Sequence, residues 1–459
     1  MKNKASIIIY HLIIISLLNY HSILLFFNSN YLNNNLNSSS PKFSNSHEPE
    51  WYILWQSGFS GCNCFDFVID SFGNYYLVGT GSADGGDIYI VKFDSNRTYQ
   101  WHDLWKGYSD FGRGIALDSL GYIYVVGRTD ESNHGTYDCV LLKYNISGYL
   151  EWERKWGDLN SNDKAESIAI DSKDNIYITG GTDISGISSV DLFLLKYNST
   201  GDLLGVNTLG SVNGSYGFDI TIDSEDMIYL TGTIGMDHGI GLSSDTILLK
   251  YNSSLNLLWN KTWGGFAHER GYALKFDSLS NIYITGEYSD AGQRYIFLLK
   301  FNQRGDFQWD KIWLRDVSNN SIHSDSGNDL AFDSLDNIYI TGKVEGIGAG
   351  LYDTILLKYD KSGNLIENLT WGGLYDDIGM GIIIDSSDNV YICGYTNSFS
   401  GASLSTEMFL LKFSSNAGDF IPQNPVIIGY DIFLIMGIFW IFIIFLIKFL
   451  NYFKISQIE

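Results

Sequence analysis

The sequence predicts an all-β fold, a seven-bladed β-propeller of four-stranded antiparallel blades. An N-terminal signal or anchor helix and a C-terminal transmembrane helix are expected to flank it. Three observations predict the propeller. One short phrase recurs seven times, a run apolar at consecutive positions follows each copy, and all four prolines lie outside the repeated body.

The recurring phrase is DSFGNYYLVG (Asp70 to Gly79), DSLGYIYVVG (Asp118 to Gly127), DSKDNIYITG (Asp171 to Gly180) and DSEDMIYLTG (Asp223 to Gly232). DSLSNIYITG (Asp277 to Gly286), DSLDNIYITG (Asp333 to Gly342) and DSSDNVYICG (Asp385 to Gly394) complete the series. Successive Asp residues lie 48 to 56 apart. Each copy is followed by a phrase such as LLKY, whose lysines are Lys92, Lys143, Lys196, Lys250, Lys300, Lys358 and Lys412. Most units then carry a Trp pair, as in Trp101/Trp105 and Trp259/Trp263.

Each unit divides into four strands: a run before the Asp, the NIYITG run, the FLLKY run, and the Trp-bearing run. Their β-branched and aromatic content suits strands. The D-S-x-[GDS]-N step is a tight turn, where Asp and Ser bond nearby backbone and Gly or Asn accepts a positive φ. The third strand is apolar without alternation, so it must be buried on both faces. The body from Trp51 to Phe413 allots about 52 residues to each unit, slightly more than a WD40-type blade. Pro41, Pro49, Pro422 and Pro425 all fall outside it, as a chain of hydrogen-bonded strands requires.

The register predicts how the fold closes. The body opens on WYILWQSG, which matches a fourth strand, and ends at Lys412–Phe413, a third strand without its fourth. The opening strand should therefore complete the last unit as its outermost strand and remove a free edge.

The remaining segments are assigned in order. Residues 1–27 begin with Lys2 and Lys4 and continue apolar, which reads as a signal peptide or signal anchor. Residues 28–50 are an Asn/Ser-rich linker, and 414–424 a shorter one. Residues 425–448 contain the apolar run Val426–Ile447, about 33 Å as a helix and long enough to span a bilayer. Lys448 and Lys454 make the tail, 449–459, cytoplasmic and the propeller extracellular. A monomeric propeller on a cell membrane is expected.

The unit IAxDSxGNIYITG…D.FLLKYNxSGNLLWxKTWGG resembles the SBBP-type β-propeller repeat, with a strand order similar to NHL propellers. The resemblance covers the whole repeated body. It implies a scaffold for extracellular recognition in prokaryotic surface and secreted proteins, and no single reaction.

Composition removes some functions. With 52 acidic against 29 basic side chains the net charge is −23, which repels nucleic acid. Aromatics at 15% exclude a disordered chain. Four Cys are too few for a disulfide scaffold.

Repetition separates structural from functional positions. A residue present in every copy serves the blade, whereas a ligand site should differ from copy to copy. The Asp and Lys of the two phrases are thus structural, the Asp capping its turn and the Lys bridging strands or blades. The acidic residues opening the third strand (Asp87, Asp138, Asp191, Asp245, Asp353, Glu407) are assigned the same role. The loops leading into the first strands end in Asp66, Arg113, Glu166, Asp219, Arg270, Asp329 and Asp377 and could ring a channel mouth. Of these, Arg113, Asp219, Arg270 and Asp329 are the candidate ligand-binding residues. Their mixed signs favour a glycan or a peptide over a single anion.

No catalytic residue, metal site or cofactor is assigned. The eight His form no ligand-spaced pair, Cys62-x-Cys64 is too short for a zinc knuckle, and no nucleophile-elbow or phosphate-loop motif occurs. Asn-x-Ser/Thr sequons at Asn96, Asn145, Asn198 and Asn252 fall on turns and are candidate glycosylation sites. The expected function is a membrane-anchored, non-catalytic binding module for an extracellular protein, glycan or envelope ligand. A propeller enzyme (quinoprotein-like dehydrogenase, lyase or glycosidase) and a structural surface-layer component are the alternatives.

Overall fold

The computed structural model describes residues 49–414 and 426–428, apart from 56–60, 82–85, 131–135, 159–160, 184–189, 212, 238–241, 315–322, 348–349 and 400–404. The N-terminal signal or anchor, most of the first linker, the second linker beyond Ser414 and the cytoplasmic tail lie outside the described residues. So does the predicted span, except for Val426–Ile428.

Strand β1 is Trp51–Trp55. Four-stranded antiparallel sheets follow. They comprise β2 (Cys62–Ile69), β3 (Tyr75–Gly81), β4 (Asp87–Phe93) and β5 (Tyr99–Trp105); β6 (Asp110–Leu117), β7 (Ile123–Thr129), β8 (Asp138–Tyr144) and β9 (Leu150–Trp156); and β10 (Asp163–Ile170), β11 (Ile176–Thr182), β12 (Asp191–Tyr197) and β13 (Leu203–Leu209). Next come β14 (Ser215–Ile222), β15 (Ile228–Asp237), β16 (Leu242–Tyr251) and β17 (Leu257–Trp263), then β18 (His268–Phe276), β19 (Ile282–Asp290), β20 (Gln293–Phe301) and β21 (Phe307–Trp313). These two arrays share one eight-stranded sheet through a single parallel pairing of Ser244 with His268. A further four-stranded sheet is β22 (Ser326–Phe332), β23 (Ile338–Glu345), β24 (Tyr352–Tyr359) and β25 (Leu365–Trp371). The last is β26 (Asp377–Ile384), β27 (Val390–Thr396), β28 (Glu407–Phe413), β1 and β29 (Val426–Ile428).

The opening strand closes the last sheet in the predicted register, with Trp51 opposite Lys412 and Trp55 opposite Met408. Glu50 N–H donates to the Lys412 carbonyl at 2.7 Å, and the Lys412 ammonium pairs with Glu50 at 3.0 Å. One expectation is corrected here. β1 is not outermost, because β29 adds alongside it in parallel. Those three residues open the stretch expected to be a transmembrane helix, and they form a strand. No helix among the described residues is long and apolar enough to cross a membrane.

The cores lie between successive sheets. Tyr76 and Val78 of the first sheet pack with Ile115 and Leu142 of the second, and the pattern continues around the chain. One cluster unites the last sheet with the first, through Trp51, Tyr391, Cys393 and Leu410 against Cys64 and Leu77. The third strands are buried on both faces as their unbroken apolar runs require. Leu192, Phe193, Leu194 and Leu195 are all fully buried. Each such side chain contributes about 1.5–3 kcal/mol. The fourth strands β13 and β17 alternate between exposed and half-buried positions, whereas β25 ends in three buried residues and β1, paired on both edges, is buried at four of its five.

The repeated polar residues form one cluster per unit. In all seven, the phrase-opening Asp accepts two backbone N–H groups of its turn at 2.8–3.0 Å. Its other oxygen accepts the Tyr hydroxyl six residues on, at 3.0–3.3 Å. The third-strand Lys lies 4.6–5.8 Å from the same Tyr ring. Three of these lysines also donate to a turn carbonyl of the next unit, at Ile146, Ser199 and Ser253. They bridge neighbouring units, as expected.

The positive φ falls on the residue before the turn's Asn position. That residue is Gly, Ser or Asp, and Asp174, for example, has φ 59°. An Asp costs more there than Gly, but its carboxylate finds a use. Asp174, Asp226, Asp336 and Asp388 each accept the N–H and Oγ–H of a Ser in the preceding unit (Ser119, Ser172, Ser278, Ser334) at 2.7–3.0 Å.

Candidate functional site: a cavity ringed by bulge residues

Every innermost strand carries a β-bulge at the same offset, five residues before the phrase-opening Asp. The pairing skips Phe65 on β2, Arg113 on β6, Glu166 on β10, Phe218 on β14, Tyr272 on β18, Asn328 on β22 and Met380 on β26. A bulge re-aims its side chain away from the ladder. All seven side chains line one cavity of about 610 Å³.

The bulge explains the glycine that ends each phrase. A Cβ on Gly79, Gly127, Gly180, Gly232, Gly286, Gly342 or Gly394 would overlap the carbonyl oxygen two residues before the bulge residue of its own sheet. In β19, a Cβ on Gly286 meets the Arg270 oxygen. Close backbone approach, not a positive φ, demands glycine at this place.

The residue after each bulge is Asp66, Gly114, Ser167, Asp219, Ala273, Asp329 or Gly381. The three Asp share one geometry. Asp66 accepts its neighbour Phe67 N–H at 2.8 Å and Ile115 N–H of the next sheet at 3.0 Å. Asp219 does the same with Ile220 and Leu274, and Asp329 with Leu330 and Ile382, at 2.8–2.9 Å. These carboxylates tie adjacent innermost strands together. Lys275 lies among them, 3.4 Å from Asp219 and 3.6 Å from Asp329. Burial alone would lower its pKa, but Asp219, Asp329 and Asp66 outweigh it and hold the ammonium above its ordinary value. Burial pushes Asp66 up to about 7 against the opposing Ile115 and Phe67 N–H groups, and it raises Asp329 as well.

The wall nearer the open end is charged and aromatic. Arg113 pairs with Glu166 at 3.4 Å and lies 4.4 Å over the Phe65 ring. Glu166 also accepts the Tyr216 hydroxyl at 2.6 Å. Phe218 meets Tyr272 edge-on, with centroids 5.0 Å apart. On the β19 and β23 side, Glu287 pairs with Arg294 at 3.5 Å and Arg270 at 3.9 Å, and Lys343 lines the cavity beside them. The assembly can hold a polar ligand by ion pairing, hydrogen bonding and ring contact.

The sequence-predicted residues divide. Arg113, Asp219 and Asp329 line the cavity, with Asp66 and Glu166, and Arg270 does not. Arg270 stands two residues before the bulge of β18, at the rim, its side chain 45% exposed. Asp377 begins β26 and is buried, its carboxylate accepting the Gly373 N–H at 2.7 Å. These residues belong to strands, not loops, because the innermost strands start earlier than the apolar runs suggest.

Sequence reasoning missed Phe65, Phe218, Tyr272, Lys275, Glu287 and Lys343. The signal for the aromatic three was the constant offset from the phrase-opening Asp. Glu287 and Lys343 directly follow the phrase-ending glycine, a position that reads Thr80, Arg128, Gly181, Thr233, Glu287, Lys343 and Tyr395 around the chain.

The sequons divide too. Asn145, Asn198 and Asn252 each accept two backbone N–H groups of their own turn, the role Asp94 plays in the first unit. Their identity is set by turn chemistry. Asn96 has no such duty and is exposed. The four cysteines are buried and unbridged, Cys139 and Cys393 on separate sheets.

The chain is similar to known proteins in sequence and in fold. It is 23% identical over 390 residues to an uncharacterized WD repeat-containing protein of Acanthamoeba polyphaga mimivirus, covering 67% of this chain and 26% of that protein. It is 26% identical over 131 residues to the regulatory protein FlaEY of Caulobacter vibrioides, covering 26% of this chain and 13% of that protein. The alignments therefore span about a quarter and about an eighth of these relatives. Among solved structures, virginiamycin B lyase of Staphylococcus aureus, a catalytically inactive variant with quinupristin, matches with a TM-score of 0.45 at 9% identity, over 81% of this chain and 99% of that one. The periplasmic gluconolactonase of Pseudomonas aeruginosa gives 0.46 at 12% identity, over 74% and 96%. Sqt1 of Chaetomium thermophilum, bound to the N-terminus of a ribosomal protein, gives 0.44 at 10% identity, over 80% and 100%. The SBBP β-propeller repeat matches at residues 106–134, 151–187 and 367–399, across parts of the second and third sheets and of the last two. The chain therefore contains SBBP β-propeller repeats at three places, each within its antiparallel sheets.

Proposed function

We propose that the chain is a membrane-anchored, extracellular, seven-bladed propeller that binds a polar ligand in its central cavity without transforming it. One observation carries this reading. The bulge position carries six residue types in seven units, while the Asp–Tyr–Lys cluster a few residues away is the same in all seven. A position kept variable within an otherwise uniform ring, and aimed into a cavity, suits recognition. The apolar segments 1–27 and 425–448, with their flanking lysines, support the anchoring and orientation.

The test is an array of glycans and peptides probed with the full chain in detergent micelles. A ligand retained by the native chain and lost in Arg113→Ala is the expected result. Equal retention by both places binding elsewhere. Protease protection in intact cells tests the orientation, since an external propeller is digested without lysis.

A catalytic reading draws on Asp66, a cavity carboxyl held at about 7, within the range useful to a general acid or base. Both its oxygens already accept backbone N–H groups, which favours the binding reading. A rise in melting temperature with pyrroloquinoline quinone and Ca²⁺ would support a quinoprotein-like enzyme instead.

A further inference from the structure

The charges lining the cavity are mixed in number but segregated in space. The acids of the inner wall are committed. Asp66, Asp219 and Asp329 each hold two backbone N–H groups, and the latter two also hold Lys275. On the β6 and β10 side, Arg113 pairs with Glu166, and Arg128, over the Phe111 and Tyr137 rings, stands near both.

The β18–β23 side does not balance. Arg270, Arg294 and Lys343 gather there around Glu287, which is 5% exposed and shared by both arginines at 3.5–3.9 Å. The Lys343 ammonium lies 4.4 Å over the Tyr352 ring and has no carboxylate within 4.0 Å among the described residues. Burial draws its pKa down and Arg294 adds to that, against Glu287, Asp376 and Glu345, which pull it up from a greater distance. Three cations against one close carboxylate is an excess of positive charge in a chain of net charge −23. Such a local excess beside a concave site attracts an anion more strongly than the same charges scattered over the surface would.

Two aromatic rings border this sector. Tyr272 and Phe218 both line the cavity. An apolar ring face beside a cationic corner matches the two sides of an acidic sugar, whose C–H face lies on an aromatic while its acid group is paired. The volume of about 610 Å³ falls within the usual range for small-ligand sites and accommodates about two sugar rings.

We infer that Arg294 and Lys343, with Arg270 at the rim, form an anion subsite that takes the carboxylate or sulfate of an acidic oligosaccharide, with Phe218 and Tyr272 supporting the sugar ring. This deepens the cavity-binding reading and rests on it. Arginine supplies paired donors suited to either oxyanion, and Lys343 a point charge.

The experiment is calorimetric titration of the full chain in detergent with four probes: a galacturonic acid dimer, a sulfated disaccharide, a neutral disaccharide of equal size and an acidic hexapeptide. At least one acidic sugar should bind about tenfold or more tightly than the neutral one, with affinity falling as salt rises. The Lys343→Met and Arg294→Gln variants should reduce that preference to about threefold or less while retaining weak binding of the neutral sugar. A far-ultraviolet spectrum and melting curve like those of the native chain certify folding. Whichever acid group binds separates carboxylate from sulfate. Equal binding of acidic and neutral sugars overturns the subsite and leaves the cavity reading standing. Binding of the peptide alone overturns the sugar class. An acidic preference unchanged in both variants places the subsite elsewhere, and no binding of any sugar overturns the inference outright.

Discussion

The turn that follows each innermost strand and the bulge within that strand lie a few residues apart and have opposite character. At the turn, Asp, Tyr and Lys make the same contacts seven times. At the bulge the seven residues are Phe65, Arg113, Glu166, Phe218, Tyr272, Asn328 and Met380, with two phenylalanines as the only duplication. The turn solves a problem that each unit has on its own, satisfying backbone donors beside a buried Tyr. The bulge faces a space shared by all units, and nothing in a single unit dictates its side chain. In a repeat protein, identity between copies marks local physics and difference marks a shared surface.

The sharpest way to break this contrast is at the glycine beneath the bulge. Gly286→Ala should cost about 3 kcal/mol or more, read as a lowered urea midpoint, because its methyl group collides with the Arg270 carbonyl and the Phe297 ring. A negligible change would mean that the bulge relaxes freely and does not fix where Tyr272 points.

Next in size is the turn cluster. Asp277→Ala strips acceptors from Leu279 N–H, Asn281 N–H and the Tyr283 hydroxyl and leaves Lys300 unopposed. About 2–3 kcal/mol should be lost by chemical denaturation. The corresponding Ala at any other unit should cost a similar amount, and a wide spread would contradict the equivalence of the copies.

The two regions also respond oppositely to pH. Burial holds Asp66 and Glu407 at about 7 and Asp377 at about 6. In the unfolded chain these groups release their protons near pH 4, so between about 4 and 7 the native state holds more protons and stability falls as pH rises. At Asp70 and Asp385 burial is outweighed by the Asn74 and Asn389 donors, and the carboxyls sit below their ordinary value. Their contribution is present above about pH 4 and is lost as pH falls further. Melting temperature should therefore peak near pH 4–5, and Asp66→Asn should flatten the decline toward neutrality. Repeating the series in high salt removes the part due to the overall −23 charge. A maximum near pH 7 in both salts would contradict these assignments.

The smallest stability effect belongs to the bulge side chains themselves. Arg113→Ala removes a partly buried ion pair, whose carboxylate keeps the Tyr216 hydroxyl, and should shift stability by about 1 kcal/mol. Its consequence should appear in binding. A large loss of stability would make Arg113 a structural residue like those of the turn.

How much was legible in advance follows the same division. The strand parse, the Asp caps, the bridging lysines and the closure by Trp51–Trp55 could all be read, because each follows from a local pattern repeated seven times. The ligand-facing residues were read only in part. Arg113 and Glu166 were found by their charge, but Arg270 was chosen over Tyr272 because a bulge moves the inward position without any mark of its own in a single copy. Lys275 went unnoticed since it sits inside a run that reads as core, where the other units place Val68, Ala116, Ala169, Thr221, Ala331 and Ile383. Glu287 and Lys343 stood one residue past the repeated phrase, where similarity between copies stops.

The pairing of β1 with β28 has a consequence for biogenesis. Strand β1 leaves the ribosome long before its principal partner at the far end of the body, so WYILW must remain available until more than 350 further residues have been made. During that interval an aromatic-rich edge is unpaired and prone to join another nascent copy. Dilution of nascent chains, or a chaperone holding that segment, should therefore decide yield more than the stability of the finished molecule does.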